Sequence, residues 1–334
     1  MRWVAALVGA AVLVATPAHA APRVSTLFTV QDPEISESSG LVDQGSTVLT
    51  TNDSGDGPTI FVLDAATGQT IGHTTYTTDA VMDVEALARG RNGAIWVGDI
   101  GDNEAVRGKV SVYRVGPVPP GERSVSAQRY DLAYKGGPRD AETLLVDPDN
   151  GRLFVVSKGL LGGQVFRAPK TLRTDRTNLL RPVGRVGGLV TDGEFTRDGD
   201  HVVLRDYSDA FIHAQQSWRL LGRWALPNQP QGEGLSVRPS GDRVTVSSEG
   251  AGQPVYDVRI PPRLRDAMRP SAASASATAG VPREGRGDGS GLSTPDMVGV
   301  AGLAAVVLAA GLGIRAALRR LSVRASRPRS RSTR

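Results

Sequence analysis

Acidic residues recur along this 334-residue chain at the head of short, β-like segments, each followed within a few positions by an apolar residue. Glu37-Ser-Ser-Gly-Leu, Glu85-Ala-Leu, Glu142-Thr-Leu, Glu194-Phe and Glu233-Gly-Leu are separated by 48, 57, 52 and 39 residues. Such a period matches one four-stranded unit of a radial array, in which each unit buries its apolar faces only by stacking on its neighbours. The spacing predicts an all-β fold, a five-bladed β-propeller.

Turn chemistry between the segments agrees. Asp43-Gln44-Gly45-Ser46, Arg91-Asn92-Gly93, Asp147-Pro148-Asp149-Asn150-Gly151, Arg197-Asp198-Gly199-Asp200 and Arg238-Pro239-Ser240-Gly241-Asp242 suit tight hairpins. Returning strands rich in β-branched and aromatic residues are expected at 47–51, 94–98, 153–157, 201–205 and 243–248. Third strands follow at 60–63, 110–113, 164–166, 210–212 and 254–256, and fourth strands at 69–76, 124–133, 179–186 and 217–224. The last repeat runs out after three strands. Residues 24–30 have strand composition and no repeat of their own, so they are expected to complete that blade and close the ring. No helix is needed in this domain.

The ends of the chain read differently. Arg2, an apolar run from Val4 to Ala15 and a small-x-small pattern ending at Ala20 predict a signal peptide over residues 1–20. Met297 to Ile314 is an uncharged run of 18 residues, long enough for a transmembrane helix. The eight arginines that follow, with no acid among them, predict a cytoplasmic tail at 315–334. The Ser/Ala/Gly-rich stretch at 263–296 is expected to be a disordered stalk, leaving 21–262 as the propeller. The protein is thus expected to be a single-pass type I protein of a bacterial cell membrane, with the propeller extracytoplasmic. No Leu-Pro-x-Thr-Gly sorting signal precedes the run, and the absence of cysteine excludes disulfides and thiolate metal sites.

The formal charge of +5 comes from the tail. Without its eight arginines and Arg2 the balance for residues 21–314 is −4. Nucleic acid is therefore not expected as a partner, because a phosphate-binding surface needs a basic stripe. Partners are expected to be an extracellular ligand or protein, and the membrane through the one C-terminal helix.

In a propeller the head of each first strand meets the tail of the second at one mouth of the channel. The heads supply Glu37, Asp83, Glu85, Asp140, Glu142, Asp192, Glu194 and Glu233; the tails supply Asp53, Asp99, Asp102, Asp206 and Glu249. Carboxylates converging on one axis must take up protons or be neutralised by a cation. With oxygen ligands only and an extracellular setting, Ca²⁺ is the expected ion, and Glu85, Glu142, Glu194 and Glu233 are its candidate ligands. Two other roles stay open: the acids accept backbone N–H groups and hold the ring together, or a pair of them performs glycosidase-like chemistry. Lys158 and Arg205 interrupt the acidic set, as internal counter-ions or as contacts to an anionic ligand, and Tyr207, between Asp206 and Ser208, is the aromatic placed to touch a ligand. The three histidines of the mature chain have no zinc-ligand spacing, and no Gly-x-Ser-x-Gly elbow is present.

The Glu-x-Leu heads, together with the acidic loop at 99–103, resemble secreted bacterial propellers of the WD40-like or YVTN-like kind over residues 23–261. Glu233-Gly-Leu is also similar to esterase-like propellers related to phytases. That resemblance implies an acidic channel that binds Ca²⁺. Two functions are consistent with these readings: a cell-surface binding or scaffold domain, and a Ca²⁺-dependent extracellular hydrolase of phosphate esters or glycans.

Overall fold

The computed structural model describes residues 23–53, 55–78 and 81–269. The expected signal peptide, the transmembrane run, the basic tail and the stalk beyond Arg269 lie outside these residues. No helix among the described residues is long and apolar enough to cross a membrane.

The chain enters through β1 (Val24–Thr29) and then runs through a series of antiparallel meanders. The first is β2 (Ser38–Asp43), β3 (Thr47–Asn52), β4 (Thr59–Asp64) and β5 (Thr70–Thr77). The second is β6 (Val84–Arg89), β7 (Ile95–Asp99) and β8 (Val110–Val115), completed after the short β9 (Arg123–Ser126) by β10 (Gln128–Tyr134). β11 (Ala141–Val146), β12 (Leu153–Ser157), β13 (Gly163–Arg167) and β14 (Asn178–Val186) form the third; β15 (Asp192–Phe195), β16 (His201–Arg205), β17 (Asp209–Ala214) and β18 (Arg219–Ala225) form the fourth. The last is β19 (Gly232–Val237), β20 (Arg243–Ser248) and β21 (Pro254–Arg259), and its fourth strand is β1, paired antiparallel from Val24 with Val258 to Thr29 with Pro254. The expected closure by the N-terminal strand is therefore present.

The first strands touch in cyclic order: β2 with β6, β6 with β11, β11 with β15, β15 with β19, and β19 back to β2. This arrangement is propeller-like. Burial follows from it. β2, β11 and β19 are buried at every position, whereas β5 alternates buried and more exposed positions over its second half. Apolar clusters fill each gap between consecutive meanders. Val42 and Tyr76 pack with Leu87 and Tyr113, Trp96 and Tyr134 with Leu144 and Phe166, Phe154 and Val165 with Phe195 and Trp218, Ile212 and Trp224 with Leu235 and Val258. Phe28 and Val255 with Leu41 and Phe61 close the circuit.

Two expectations needed correction: a continuous strand at 124–133, and a domain without helix followed by a stalk from 263. The strand expected at 124–133 divides at Ala127: β9 pairs parallel with β5 of the preceding meander, and only β10 joins its own partner β8. β10 in turn pairs parallel with β14, which merges the second and third meanders into one eight-stranded sheet. Both departures cover backbone groups that an outer strand would otherwise leave open. The expected hairpin turn at 91–93 is a single 3₁₀ turn. At the end of the body, α1 (Pro262–Ala267) lies against β18 and buries Leu264 in the cluster of Ile212, Trp224 and Val258. Leu264→Ala should cost about 2–5 kcal/mol, read as a lower urea midpoint with an unchanged slope.

Candidate functional site: an acidic mouth with one unneutralised cluster

β-Bulges decide which acids meet. The first strands β2, β6, β11 and β19 each carry a bulge near the head, between Ser38 and Leu41, Val84 and Ala86, Ala141 and Thr143, and Gly232 and Leu235. Bulges re-aim side chains. Glu85, Glu142 and Glu233 occupy three of them and are all buried. In β2 the matching residue is Ser39, not Glu37, and its hydroxyl donates to the Glu85 carbonyl at 2.8 Å. Glu37 lies before the strand, where its carbonyl accepts the Asp53 N–H and its own N–H reaches Asn52 Oδ1.

β15 has no bulge, so Glu194 keeps a regular register opposite Val203. Its carboxylate accepts the Val237 N–H at 2.7 Å, the Ser236 hydroxyl at 2.7 Å and Arg89 Nε at 3.0 Å. Asp192 likewise accepts the Leu235 N–H at 2.7 Å. These two acids hold β19 to β15, the ring-holding role that the sequence left open. Glu194 opens on a pocket lined by Leu144, Val146, Phe195 and Val237, with Arg89 beside it.

Three further carboxylates come together, and Glu85 Oε2 among them accepts the Ser39 hydroxyl at 3.3 Å. Asp53, at the tail of β3, meets Asp83 and Glu85, at the head of β6, with one oxygen from each lying within 4.8 Å of the others. Glu85 Oε1 and Asp83 Oδ1 are buried and accept no hydrogen bond among the described residues. Burial pushes the Asp83 carboxyl up to about 7, reinforced by the charge and hydrogen bond of Asp53 and by Asp140, and opposed by Arg107. Burial also lifts Glu85 well above the usual range, with Asp53, Glu142, Asp83 and Glu233 adding to it. Gly101 shapes the space. A Cβ there would fall 2.5 Å from Asp83 Oδ2 and 2.7 Å from Glu85 Oε1, so glycine keeps room beside both carboxyls.

The neighbouring acids are committed to the loop. Asp99 accepts Arg107 at 2.9 Å and the Asp83 N–H at 3.1 Å; Asp102 accepts the N–H groups of Val106 and Arg107 at 3.0 and 2.7 Å. Asp206 accepts the N–H groups of Ser208 and Asp209, which fixes its hairpin.

A second group of acids surrounds Lys158, whose ammonium pairs with Glu142 and sits 5.3 Å from the centre of the Tyr207 ring. Burial opposes the charge on Lys158, yet Glu142, Glu233 and Tyr207 together hold its pKa above the ordinary value. Gln231 Nε2 donates to Glu233 Oε1 at 3.2 Å. Arg205 is fully buried, and burial lowers it to about 10. It donates to the carbonyls of Asp206, Gly234 and Ser247 at 3.0, 3.0 and 3.1 Å, and so ties β16 to β19 and β20. Only glycine fits at 232, where a Cβ would lie 1.8 Å from the guanidinium.

Four exposed aliphatic side chains stand on loops at this same end: Met82 before β6, Val106 after β7, and Leu160 and Leu161 after β12. Asp83, in the sequence only a head residue, joins the cluster, and Gly101 and Ser39 carry no sequence signal of their part in it. The Asp-x-Glu pattern at 83–85 and 140–142 was the available signal for Asp83.

No protein-family model matches the chain, and no curated protein matches it. Similar solved structures include a glutaminyl cyclase from Myxococcus xanthus, 14% identical, covering 71% of this chain and 96% of that one with a TM-score of 0.46. A PQQ-bound aldose sugar dehydrogenase from Streptomyces coelicolor is 11% identical, covering 71% and 98%, with a TM-score of 0.43. A gluconolactonase from Xanthomonas campestris is 17% identical, covering 66% and 70%, with a TM-score of 0.40. None of these likenesses bears on the chemistry of the acidic mouth.

The raised pKa of Asp83 has a definite sign. A carboxyl whose folded pKa exceeds its unfolded value favours the folded state at low pH, and that contribution is lost as pH rises toward about 7. In chelator, Asp83→Asn should therefore raise the melting temperature relative to the parent chain at pH 7.5 and leave little difference at pH 4. An equal effect at both pH values would contradict the burial of this charge.

Proposed function

We propose that the chain is an exported five-bladed β-propeller, tethered by its C-terminal helix, that acts as a cell-surface binding domain through a divalent cation held at its acidic mouth. The cyclic contacts of the first strands and the apolar cluster in each gap support the blade count. One observation carries the cation: one oxygen each of Asp53, Asp83 and Glu85 converge within 4.8 Å, and buried oxygens of Asp83 and Glu85 accept no hydrogen bond among the described residues. Buried carboxylates in that state are protonated or metal-bound. All available donors are oxygens, which favours Ca²⁺ over softer ions. The Ca²⁺ ligands in this reading are Asp53, Asp83 and Glu85. The exposed Met82, Val106, Leu160 and Leu161 give a partner apolar contact beside the ion.

A second reading, a Ca²⁺-dependent hydrolase, draws on Glu85. A buried carboxyl lifted well above its usual range beside other carboxyls has the profile of a general acid. Glu85→Gln would then abolish turnover of a phosphate ester or glycan.

Melting the chain in Ca²⁺ and in chelator tests the cation. At 100 times its Kd a specific ion adds about 2.7 kcal/mol, and Glu85→Gln should remove most of that gain. An identical melting temperature in millimolar Ca²⁺ and in chelator would overturn the assignment.

A further inference from the structure

The carboxylates of the mouth form two groups, and one of them already contains a cation. Asp53, Asp83 and Glu85 bring one oxygen each within 4.8 Å of the others, with buried oxygens of Asp83 and Glu85 accepting no hydrogen bond among the described residues, whereas Glu142 pairs with Lys158, and Glu233 and Tyr207 act on the same ammonium. Backbone register makes the contrast sharper. The Asp53 N–H donates to the carbonyl of Glu37, at 2.9 Å, and the Lys158 N–H donates to the carbonyl of Asp140, also at 2.9 Å. Each acceptor lies just before its first strand. Asp53 and Lys158 are therefore equivalent positions in their repeats, one filled by a carboxylate and the other by an ammonium. Glu142 is buried, and its Oε2 accepts no hydrogen bond among the described residues.

We infer that Lys158 is an internal substitute for a second metal ion: its ammonium fills the cation position beside Glu142 and Glu233, and the mouth consequently takes one divalent ion rather than two. This rests on the cation reading proposed above. An ammonium is a point charge with three donors, able to satisfy carboxylates from several directions as a hard cation does. A second ion brought close to it would meet its repulsion in a setting of low dielectric. Replacing Lys158 by a carboxylate restores the pattern at Asp53, giving a third acid alongside Glu142 and Glu233.

Ion stoichiometry decides the matter. Equilibrium dialysis of the full chain against Ca²⁺ should return one ion per chain for the parent and for Lys158→Arg, and two for Lys158→Asp. Without ions Lys158→Asp should be strongly destabilised, because three buried carboxylates then face one another, and millimolar Ca²⁺ should restore its melting temperature. Two ions in the parent chain would overturn the inference, as would one ion in Lys158→Asp or a failure of Ca²⁺ to restore that variant. A parent chain that binds no ion would instead refute the cation reading itself, together with what rests on it.

Discussion

A carboxylate removed from water and set beside other carboxylates is unstable unless something supplies positive charge, a proton or directed N–H groups. The mouth of this ring meets that constraint in four ways. Asp192 and Glu194 take backbone N–H groups from the adjoining strand β19. Asp99 takes the guanidinium of Arg107, and Asp102 the amides of its own loop. Glu142 takes the ammonium of Lys158. Asp83 and Glu85 each keep a buried oxygen that accepts no hydrogen bond among the described residues, and burial raises the pKa of both. The functional reading follows from that remainder.

The fold places this charge where it cannot escape. First strands in cyclic contact bring their heads to one axis, and β1 pairing with β21 closes the circuit so that no sheet is left with three strands. Apolar packing between neighbouring meanders supplies the compensating free energy, from Tyr76 against Tyr113 to Phe154 against Trp218. Arg205 adds a different tie. A guanidinium buried on carbonyls has no freedom to leave, since breaking its contacts would strand both donor and acceptors.

Much of this was legible in the sequence, because period and turn chemistry are local. Most of the strand positions and the closing strand followed from spacing and turn residues. The differences share a cause. Glu194 and Glu37 look like the other heads in composition, but a strand reverses its facing with every residue, and only a bulge sets Glu85 and Glu142 apart. Nothing in Glu194-Phe announces that β15 lacks one. Ser39 escaped notice because the acidic pattern drew the alignment two residues upstream. The splitting of the strand at Ala127 depends on an edge offered by β5, a long-range fact that local composition does not encode. Gly101 matters for the carboxyls that approach it across the mouth, which again only tertiary structure reveals.

Anomalous diffraction from crystals of the protein grown with Mn²⁺, an oxygen-seeking ion that scatters strongly, tests the central claim most directly. The account predicts a peak in contact with Asp53, Asp83 and Glu85 and none between Glu142 and Lys158. A mouth without any peak, with the three carboxyls still converging, would contradict it.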